Sequence, residues 1–304
     1  TGPNQRYLTK SRFKLALECP TKLYYTGKAE YANTKNDNEF LAMLADGGFQ
    51  VGDLAKLKYP DGIEISTKQV DRAIAETAEY VRKETVTLFE PAIVHEGYLV
   101  RVDVLVKRGQ EIEVIEVKAK SYSGDPASLV GKRSPISGDF LSYVQDVAFQ
   151  KFVIQLAFPG ATVTAYLLMP DKSKKATVTG LNQWFKIQRQ GRDIEVQVDE
   201  RAKQTGLADS VLTCVPVDHL VGEVLSNPLS IPGGEGTLQT LAPRGAQQYA
   251  ADQKLPPVIG GQCSACEFKA PPGATQRSGF HECWKDAKGW NDLDFSEGTV
   301  LDLW

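Results

Sequence analysis

The chain of 304 residues is long enough to bury a sizeable core, and its 42% apolar and 24% charged residues are typical of globular proteins. A net charge of −3 gives no general preference for nucleic acid, and no apolar run is long enough to span a membrane. Because the N-terminal segment lacks a signal-peptide pattern, we expect a cytoplasmic protein with no membrane partner.

The first part of the chain is predicted to be mainly helical. Apolar periodicity predicts a helix over residues 7–25 and a second over 37–58 that is interrupted at Gly47-Gly48 and Gly52. Residues 67–89 have the pattern of an amphipathic helix.

Strand patterns begin near residue 93. The stretch 93–122 alternates apolar and polar residues, which predicts a hairpin with its turn at Arg108-Gly109-Gln110. A helix is predicted over 139–158, and strands over 161–169 and 193–199.

The C-terminal part has little apolar periodicity. Residues 226–262 are rich in proline and glycine and are predicted to be a connecting segment, with a short helix near 243–252. From Cys263 onward a loop is predicted, which needs a source of order other than apolar burial. The final "EGTVLDLW" resembles the start of another element, which leaves open a longer protein.

Two carboxylates and a lysine meet if the hairpin turn has the right length. A two-residue turn, either Arg108-Gly109 or Gly109-Gln110, puts Asp103 on the same face as Glu116 and Lys118, and Gly109-Gln110 sets Asp103 directly opposite Glu116. Carboxylates this close require a cation, and oxygen ligands suit Mg²⁺ or Mn²⁺. The alternatives are a three-residue turn that separates the faces, or a solvated sheet face with ordinary ion pairs.

The order of Asp103 and then Glu116-Val117-Lys118, in "IEVIEVKAK", resembles the D…E-x-K core of the PD-(D/E)XK nucleases, in their RecB-like branch. The resemblance implies an α/β fold, a mixed sheet flanked by helices. It implies that Asp103, Glu116 and the Val117 carbonyl bind Mg²⁺ or Mn²⁺. Lys118 would be catalytic, orienting a water or stabilising charge on phosphorus.

The resemblance further implies a glutamine from the helix that follows the core. The stretch "YVQDVAFQKFVIQ" offers Gln145 or Gln150, and we favour Gln150, with Asp146 and Lys151 beside it. A surface or capping amide is the alternative interpretation of Gln150.

One part of the family pattern is missing. The family brings an acid or a histidine from an early helix, but Gly52 stands where the histidine is expected. Glu39, Asp46 and Asp53 are the available substitutes, and the number of catalytic metals, one or two, stays open.

Five cysteines in a cytosolic chain favour metal binding or catalysis over disulfides. Cys263 and Cys266 have the C-x2-C spacing with which two thiolates share a metal, and Cys283 offers a third. For a fourth ligand, His281 would complete a zinc site, Cys19 an all-thiolate site for zinc or iron–sulfur, and Cys214 is most simply a core cysteine.

The stretch "CPTKLYY", which begins at Cys19, resembles the first cluster-cysteine signature of the iron–sulfur RecB-like nucleases, such as CRISPR-associated exonucleases and AddB subunits. That group has one cysteine before the core and three after it. The resemblance implies a 4Fe–4S cluster, with zinc as the alternative, on Cys19, Cys263, Cys266 and Cys283. The interval between Cys266 and Cys283 is longer than is usual in the group.

The combined resemblance implies a metal-dependent deoxyribonuclease that acts on single-stranded DNA or DNA ends, in a DNA-processing or defence complex, and leaves open whether it is an exonuclease or an endonuclease. The alternative is an inactive nucleic-acid-binding module that a zinc or iron–sulfur site stabilises. The sequence fixes no oligomeric state. We divide the chain into a helical part (1–90), a nuclease core (91–225) and a cluster-binding part (226–304), which together form one composite domain.

Contacts to nucleic acid are expected from charged and aromatic residues. Tyr25 is a further aromatic candidate, and the basic clusters 132–133, 172–175 and 186–192 are more often solvated surface than phosphate contacts. The predicted contact residues are Lys22, Tyr24, Lys120 and Lys151.

Overall fold

The computed structural model describes residues 5–35, 39–190, 193–203 and 206–296, with the backbone alone at 39–44, 190 and 193. Arg192 of the third basic cluster, the Glu39 side chain and "EGTVLDLW" therefore lie outside the described residues. The chain divides into two compact units, Ala42–Ser226 and the pair Gly2–Leu41 with Asn227–Trp304. The three-part division at residues 90 and 225 stays a prediction. Within the described part of the chain, we find no helix of the length and apolarity that crossing a bilayer requires.

Helices and short strands alternate along most of the chain. The helices are α1 (Lys10–Glu18), α2 (Lys22–Tyr25), α3 (Glu39–Lys56), α4 (Val70–Tyr80), α5 (Gly138–Ala157), α6 (Asp218–Ser226), α7 (Leu238–Ala250), α8 (Gly279–Lys288) and α9 (Asp292–Ser296). The strands are β1 (Leu8–Thr9), β2 (Ile63–Glu64), β3 (Thr85–Phe89), β4 (Ala92–His95), β5 (Tyr98–Arg101), β6 (Val104–Arg108), β7 (Glu111–Val117), β8 (Thr162–Pro170), β9 (Phe185–Gln190), β10 (Asp193–Val198), β11 (Leu212–Pro216), β12 (Leu229–Ile231) and β13 (Gly234–Gly236).

A six-stranded sheet in the order β11-β8-β7-β6-β3-β2 forms the centre of the Ala42–Ser226 unit. Strand β7 is parallel to β8 and antiparallel to β6, so the sheet is mixed. Helix α5 joins β7 to β8 and packs against both strands. The α/β class, with mixed strands and flanking helices, is therefore confirmed.

Helix α5 is apolar on most of its surface because it is enclosed on several sides. It packs against α6, β4 and β5 as well as against the sheet, and Val144, Val147 and Ile154 are fully buried. A helix surrounded in this way needs no polar stripe over its middle turns. The polar residues that it does bury therefore require a specific partner.

Two of the predicted helices have different bounds. The helix predicted over 7–25 breaks after Glu18, because the proline that follows Cys19 disfavours the helical region for the cysteine, whose φ and ψ are −166° and 114°. Helix α3 instead runs without interruption through its three glycines. Glycine costs a helix up to about 1 kcal/mol but does not break it, and buried Leu54 and Ala55 anchor its last turns.

In two further stretches, the sequence predicted one element where the structure has two or more. Only residues 70–80 of the helix predicted over 67–89 are helical, and β-branched residues build β3 over 85–89. The hairpin predicted over 93–122 is in fact two hairpins, β4–β5 and β6–β7, because the chain leaves the first ladder at Val102 and Asp103. The left-handed φ values of Glu96 and Gly97 form the turn that was missed.

The later predictions are confirmed up to the C-terminal part. The helix near 139–158 and the strands near 161–169 and 193–199 are α5, β8 and β10. The loop predicted from Cys263 onward is wrong over residues 279–288, which form α8. Ser278 caps this helix by accepting a hydrogen bond from the His281 amide, and Gly289 ends it with a φ of 69°.

Candidate active site and cysteine cavity

The turn between β6 and β7 sets the register of the predicted carboxylates. Arg108 pairs with Glu111 across a two-residue turn at Gly109-Gln110, and Val104 pairs with Ile115. The next position in this register sets Asp103 opposite Glu116, as predicted for a two-residue turn at Gly109-Gln110. Asp103 Oδ2 accepts a hydrogen bond of 2.6 Å from the Val117 amide, so this carboxylate lies at the end of β7.

Glu116 is buried in an otherwise apolar part of the sheet. Its side chain is 1% exposed, and one oxygen, Oε1, lies 2.5 Å from Lys118 Nζ. The other oxygen, Oε2, accepts a hydrogen bond of 2.5 Å from Gln150 Nε2 of α5. Gln150, the glutamine that we favour over Gln145, is thus the one in contact with the buried carboxylate.

Asp146 is the residue that the sequence analysis left without a role. Its Oδ2 lies 3.0 Å from Lys118 Nζ, and only 5% of the residue is exposed. Asp146 and Gln150 are four residues apart on α5 and therefore project from the same face of the helix. This four-residue spacing is the sequence signal that could have identified Asp146 as part of the site.

Lys118 lies between two acids. Burial alone would lower the pKa of this lysine, but the charges of Glu116 and Asp146 and their hydrogen bonds raise it above its usual value. Lys118 is therefore a cation at neutral pH and has no lone pair with which to act as a base. It can donate hydrogen bonds and stabilise negative charge.

The acids expected from an early helix have other partners. Asp46 of α3 pairs with Arg189, and Asp53 lies 3.0 Å from the ammonium of Lys56. The additional acid beside Glu116 and Lys118 comes from α5 instead. Among the described residues, no three or more His, Cys, Asp or Glu side chains are arranged as they stand to hold one metal ion.

Two of the predicted nucleic-acid contacts are already neutralised. Lys22 is 6% exposed in its side chain, and its ammonium lies 2.8 Å from Glu18 and 2.6 Å from Glu267. Lys151 is likewise buried, 2.5 Å from Asp218. The structure therefore favours neither lysine as a phosphate contact.

The other two predicted contacts keep more exposed surface. Lys120 is 32% exposed and lies 3.6 Å from Asp139. Tyr24 is half-buried, and the ammonium of Lys28 lies 3.2 Å from the centre of its ring, so one face of the ring is covered. Of the predicted contact residues, Lys120 is the one best placed to meet a nucleic-acid ligand from solution.

Four cysteines line one small cavity in the unit of Gly2–Leu41 and Asn227–Trp304. Cys19 stands at the break after α1, and Cys283 projects from α8. Cys263 and Cys266 come from the short 3-10 turn Gly261–Ala265 and the residue after it. All four are free thiols, and Ile259, Phe280 and Trp284 supply part of the apolar wall.

Burial favours the neutral form of three of these thiols, Cys263, Cys266 and Cys283. Burial raises the pKa of Cys266 to about 12 and that of Cys283 to about 11, and it also raises the pKa of Cys263. The hydroxyl of Tyr25 lies 3.4 Å from Cys283 Sγ and can donate to it once the sulfur is a thiolate. A cation in the cavity would supply the charge that thiolates need here.

His281 and Cys214, the other candidate ligands, have different surroundings. The His281 ring stacks on Phe295 at 4.2 Å between centroids and is not among the residues that line the cavity. Cys214 lies on β11 and packs against the apolar core of the Ala42–Ser226 unit, as expected for a core cysteine.

We predict that Lys118→Met destabilises the protein by about 3–5 kcal/mol at neutral pH, because it leaves two carboxylates buried without a cation. A carboxylate that is buried without a cation favours its neutral, protonated form. The destabilisation of Lys118→Met is therefore small at pH 4 and grows as the pH rises. Urea unfolding at pH 5 and pH 8 measures both effects.

Lys58→Met is the matched control, because its partner Asp209 is 57% exposed. Loss of an exposed pair costs at most about 1 kcal/mol. A Lys118→Met variant as stable as this control, or less destabilised at pH 8 than at pH 5, would contradict the interpretation of the buried pair.

Comparisons with known proteins give no assignment for either site. No protein-family model, no curated protein and no solved structure matches the chain. The chemistry of the two sites therefore has to follow from their own residues.

Proposed function

We propose that the Ala42–Ser226 unit is a metal-dependent nuclease of the PD-(D/E)XK type, which hydrolyses phosphodiester bonds of single-stranded DNA or DNA ends. One observation carries the proposal. Glu116 is buried at the end of an apolar strand, with Lys118 on one of its oxygens and Gln150 on the other. A buried charge is costly unless it is paired and hydrogen-bonded, and buried ionisable groups with such partners concentrate at functional sites.

The donor atoms fit a hard divalent cation. Mg²⁺ usually takes one or two protein carboxylates and completes its shell with waters and substrate phosphate, so Asp103 and Glu116 meet its requirement without a third acid. Gln150 Oε1 also supports the fit, because it is buried and has no hydrogen-bond partner among the described residues. A water on the cation could donate to this oxygen.

Each residue of the site would have a separate role around the reacting phosphate. Asp103, Glu116 and the Val117 carbonyl would hold Mg²⁺ or Mn²⁺, which acts as a Lewis acid and lowers the pKa of a bound water. Lys118, as a permanent cation, would stabilise the charge that develops on the phosphate oxygens. Gln150 orients Glu116 through its hydrogen bond.

Asp146 would hold Lys118 when the Glu116 carboxylate binds a divalent metal ion. Lys118 would then lose one of its two carboxylate partners, and Asp146 would keep its ammonium in place beyond the end of β7. A lysine held at a fixed position loses less entropy in the transition state than a free one. Asp146 is therefore a positioning residue in this proposal.

We also propose that Cys19, Cys263, Cys266 and Cys283 hold a structural 4Fe–4S cluster. The cysteines line one cavity, and two sequence-distant parts of the chain supply them. Four thiolates suit either a 4Fe–4S cluster or one Zn²⁺, and the family resemblance of the Cys19 stretch favours the cluster.

We predict that the protein cleaves labelled single-stranded DNA in the presence of Mn²⁺ or Mg²⁺, and that Glu116→Gln lowers the rate by at least about 10²-fold, because it removes a charged ligand of the cation. Glu113→Gln is the matched control. It lies on the same strand, pairs with Arg108 and belongs to the opposite face of the sheet. An inactive wild type, or equal activity in Glu116→Gln, would contradict the proposed hydrolysis.

A non-catalytic nucleic-acid-binding module is the second candidate. The observation that favours it is that both Glu116 oxygens are already engaged by side chains of the protein. In that case the buried pair serves stability alone. The assay with Glu116→Gln separates the two, because a binding module retains its affinity for the strand and shows no metal-dependent cleavage.

We predict that anaerobically purified protein is brown and contains about four irons and four sulfides per chain, and that Cys19→Ser loses most of both. Cys214→Ser and His281→Ala should retain the full content, because neither residue lines the cavity. One zinc per chain would exclude the proposed iron–sulfur cluster, and an iron content that is unchanged in Cys19→Ser would exclude Cys19 as a ligand.

A further inference from the structure

The carboxyl ends of β7 and β8 meet at one edge of the six-stranded sheet, because the two strands are parallel neighbours. Glu116 and Lys118 lie at this edge. The segment after β7 and the segment after β8 are joined there by backbone contacts. Tyr122 donates its amide to Pro170 O at 2.7 Å, and Lys172 donates its amide to Tyr122 O at 2.9 Å.

These two segments carry a group of exposed cations. Four of them are exposed and form no ion pair with any of the described residues, and Lys120 is a partly exposed fifth. We call this group the basic edge. Its members are Lys120, Lys132, Arg133, Lys172 and Lys175.

Few anions oppose the basic edge. Asp139 is exposed and lies near Lys120, and Asp125 is exposed and caps a 3-10 turn. Asp171 is buried and accepts hydrogen bonds from Ser173 and Thr213. The edge therefore has an excess of positive charge in a chain whose net charge is −3.

The cations of the basic edge differ from the other basic residues at the site in their partners. Lys118 and Lys151 are bound by buried or neighbouring carboxylates, and Lys174 donates to the carbonyls of Asp209 and Leu212. Apart from Lys120, which lies 3.6 Å from Asp139, the side chains of the basic edge form no ion pair within the part of the chain that the structure describes. A group of solvated cations beside an acidic site can attract a polyanion, while the acids of the site bind a metal cation.

We propose that the basic edge binds the phosphate backbone of single-stranded DNA and leads the strand to the Glu116–Lys118 site. The choice of partner rests on the proposed nuclease function, while the surface rests on the exposed cations. Each lysine or arginine that contacts a phosphate releases a counterion, so binding through this surface must weaken steeply with salt.

The test measures affinity against salt concentration without added divalent ions, so that no cleavage occurs. The full chain is titrated against a fluorescein-labelled oligothymidine and followed by fluorescence anisotropy. Two double variants, Lys132→Ala with Arg133→Ala and Lys172→Ala with Lys175→Ala, each remove half of the unpaired cations. Each should lower the slope of log K against log salt by about 1.4, since a single-strand contact contributes about 0.7.

Arg82→Ala with Lys83→Ala is the matched control. These residues form an exposed basic pair just before β3, at the opposite edge of the same sheet. Its slope should equal that of the wild type. Unfolding midpoints equal to that of the wild type verify that the variants are folded, as expected for exposed side chains.

Three outcomes would overturn the proposal: a wild type that does not bind the strand, edge variants whose slopes equal that of the wild type, or a control that changes as much as they do. A chain that binds through this edge but does not cleave would overturn the proposed hydrolysis and retain the surface. A chain that cleaves with an unchanged slope in the edge variants would retain the nuclease and reject the surface.

Discussion

The buried ion pair between Glu116 and Lys118 is the constraint around which the Ala42–Ser226 unit is arranged. A carboxylate that is 1% exposed is tolerable only because an ammonium 2.5 Å away and the Gln150 amide satisfy it. The ammonium in turn requires Asp146. The pair therefore determines which polar residues helix α5 must bury, and at which positions.

The topology delivers these residues to one place. Since β7 and β8 are parallel, the chain must cross over between them, and α5 makes the crossover while packing on both strands. Residues four apart on this helix then face the end of β7 together. The same crossover leaves two loops at that edge, and these loops hold the exposed cations. The β7–α5–β8 unit therefore accounts both for the buried acids at the end of β7 and for the exposed cations of the adjoining loops.

Sequence patterns predicted those parts of the site that depend on local rules. The Gly109 turn and the two-residue period of the strands predicted that Asp103 faces Glu116, and the structure confirms the register. Asp146 was named beside Gln150 but given no role, although its four-residue spacing from Gln150 puts both on one face of the helix. The bend at Val102 was not predicted, since strand alternation continues through it while the hydrogen-bonding partner changes. The grouping of Cys19 with Cys263, Cys266 and Cys283 was implied by the family resemblance of the Cys19 stretch and not by any local rule, because it depends on tertiary contacts across almost 250 positions.

In the proposed site, Asp103 and Glu116 hold a divalent cation while Asp146 retains Lys118. Anomalous diffraction from crystals soaked with Mn²⁺ would locate this cation. We expect a manganese peak between the Asp103 and Glu116 carboxylates, with Lys118 Nζ still within hydrogen-bond distance of Asp146. A map without a peak at this position, and with Lys118 still bridging Glu116 and Asp146, would contradict the proposed site.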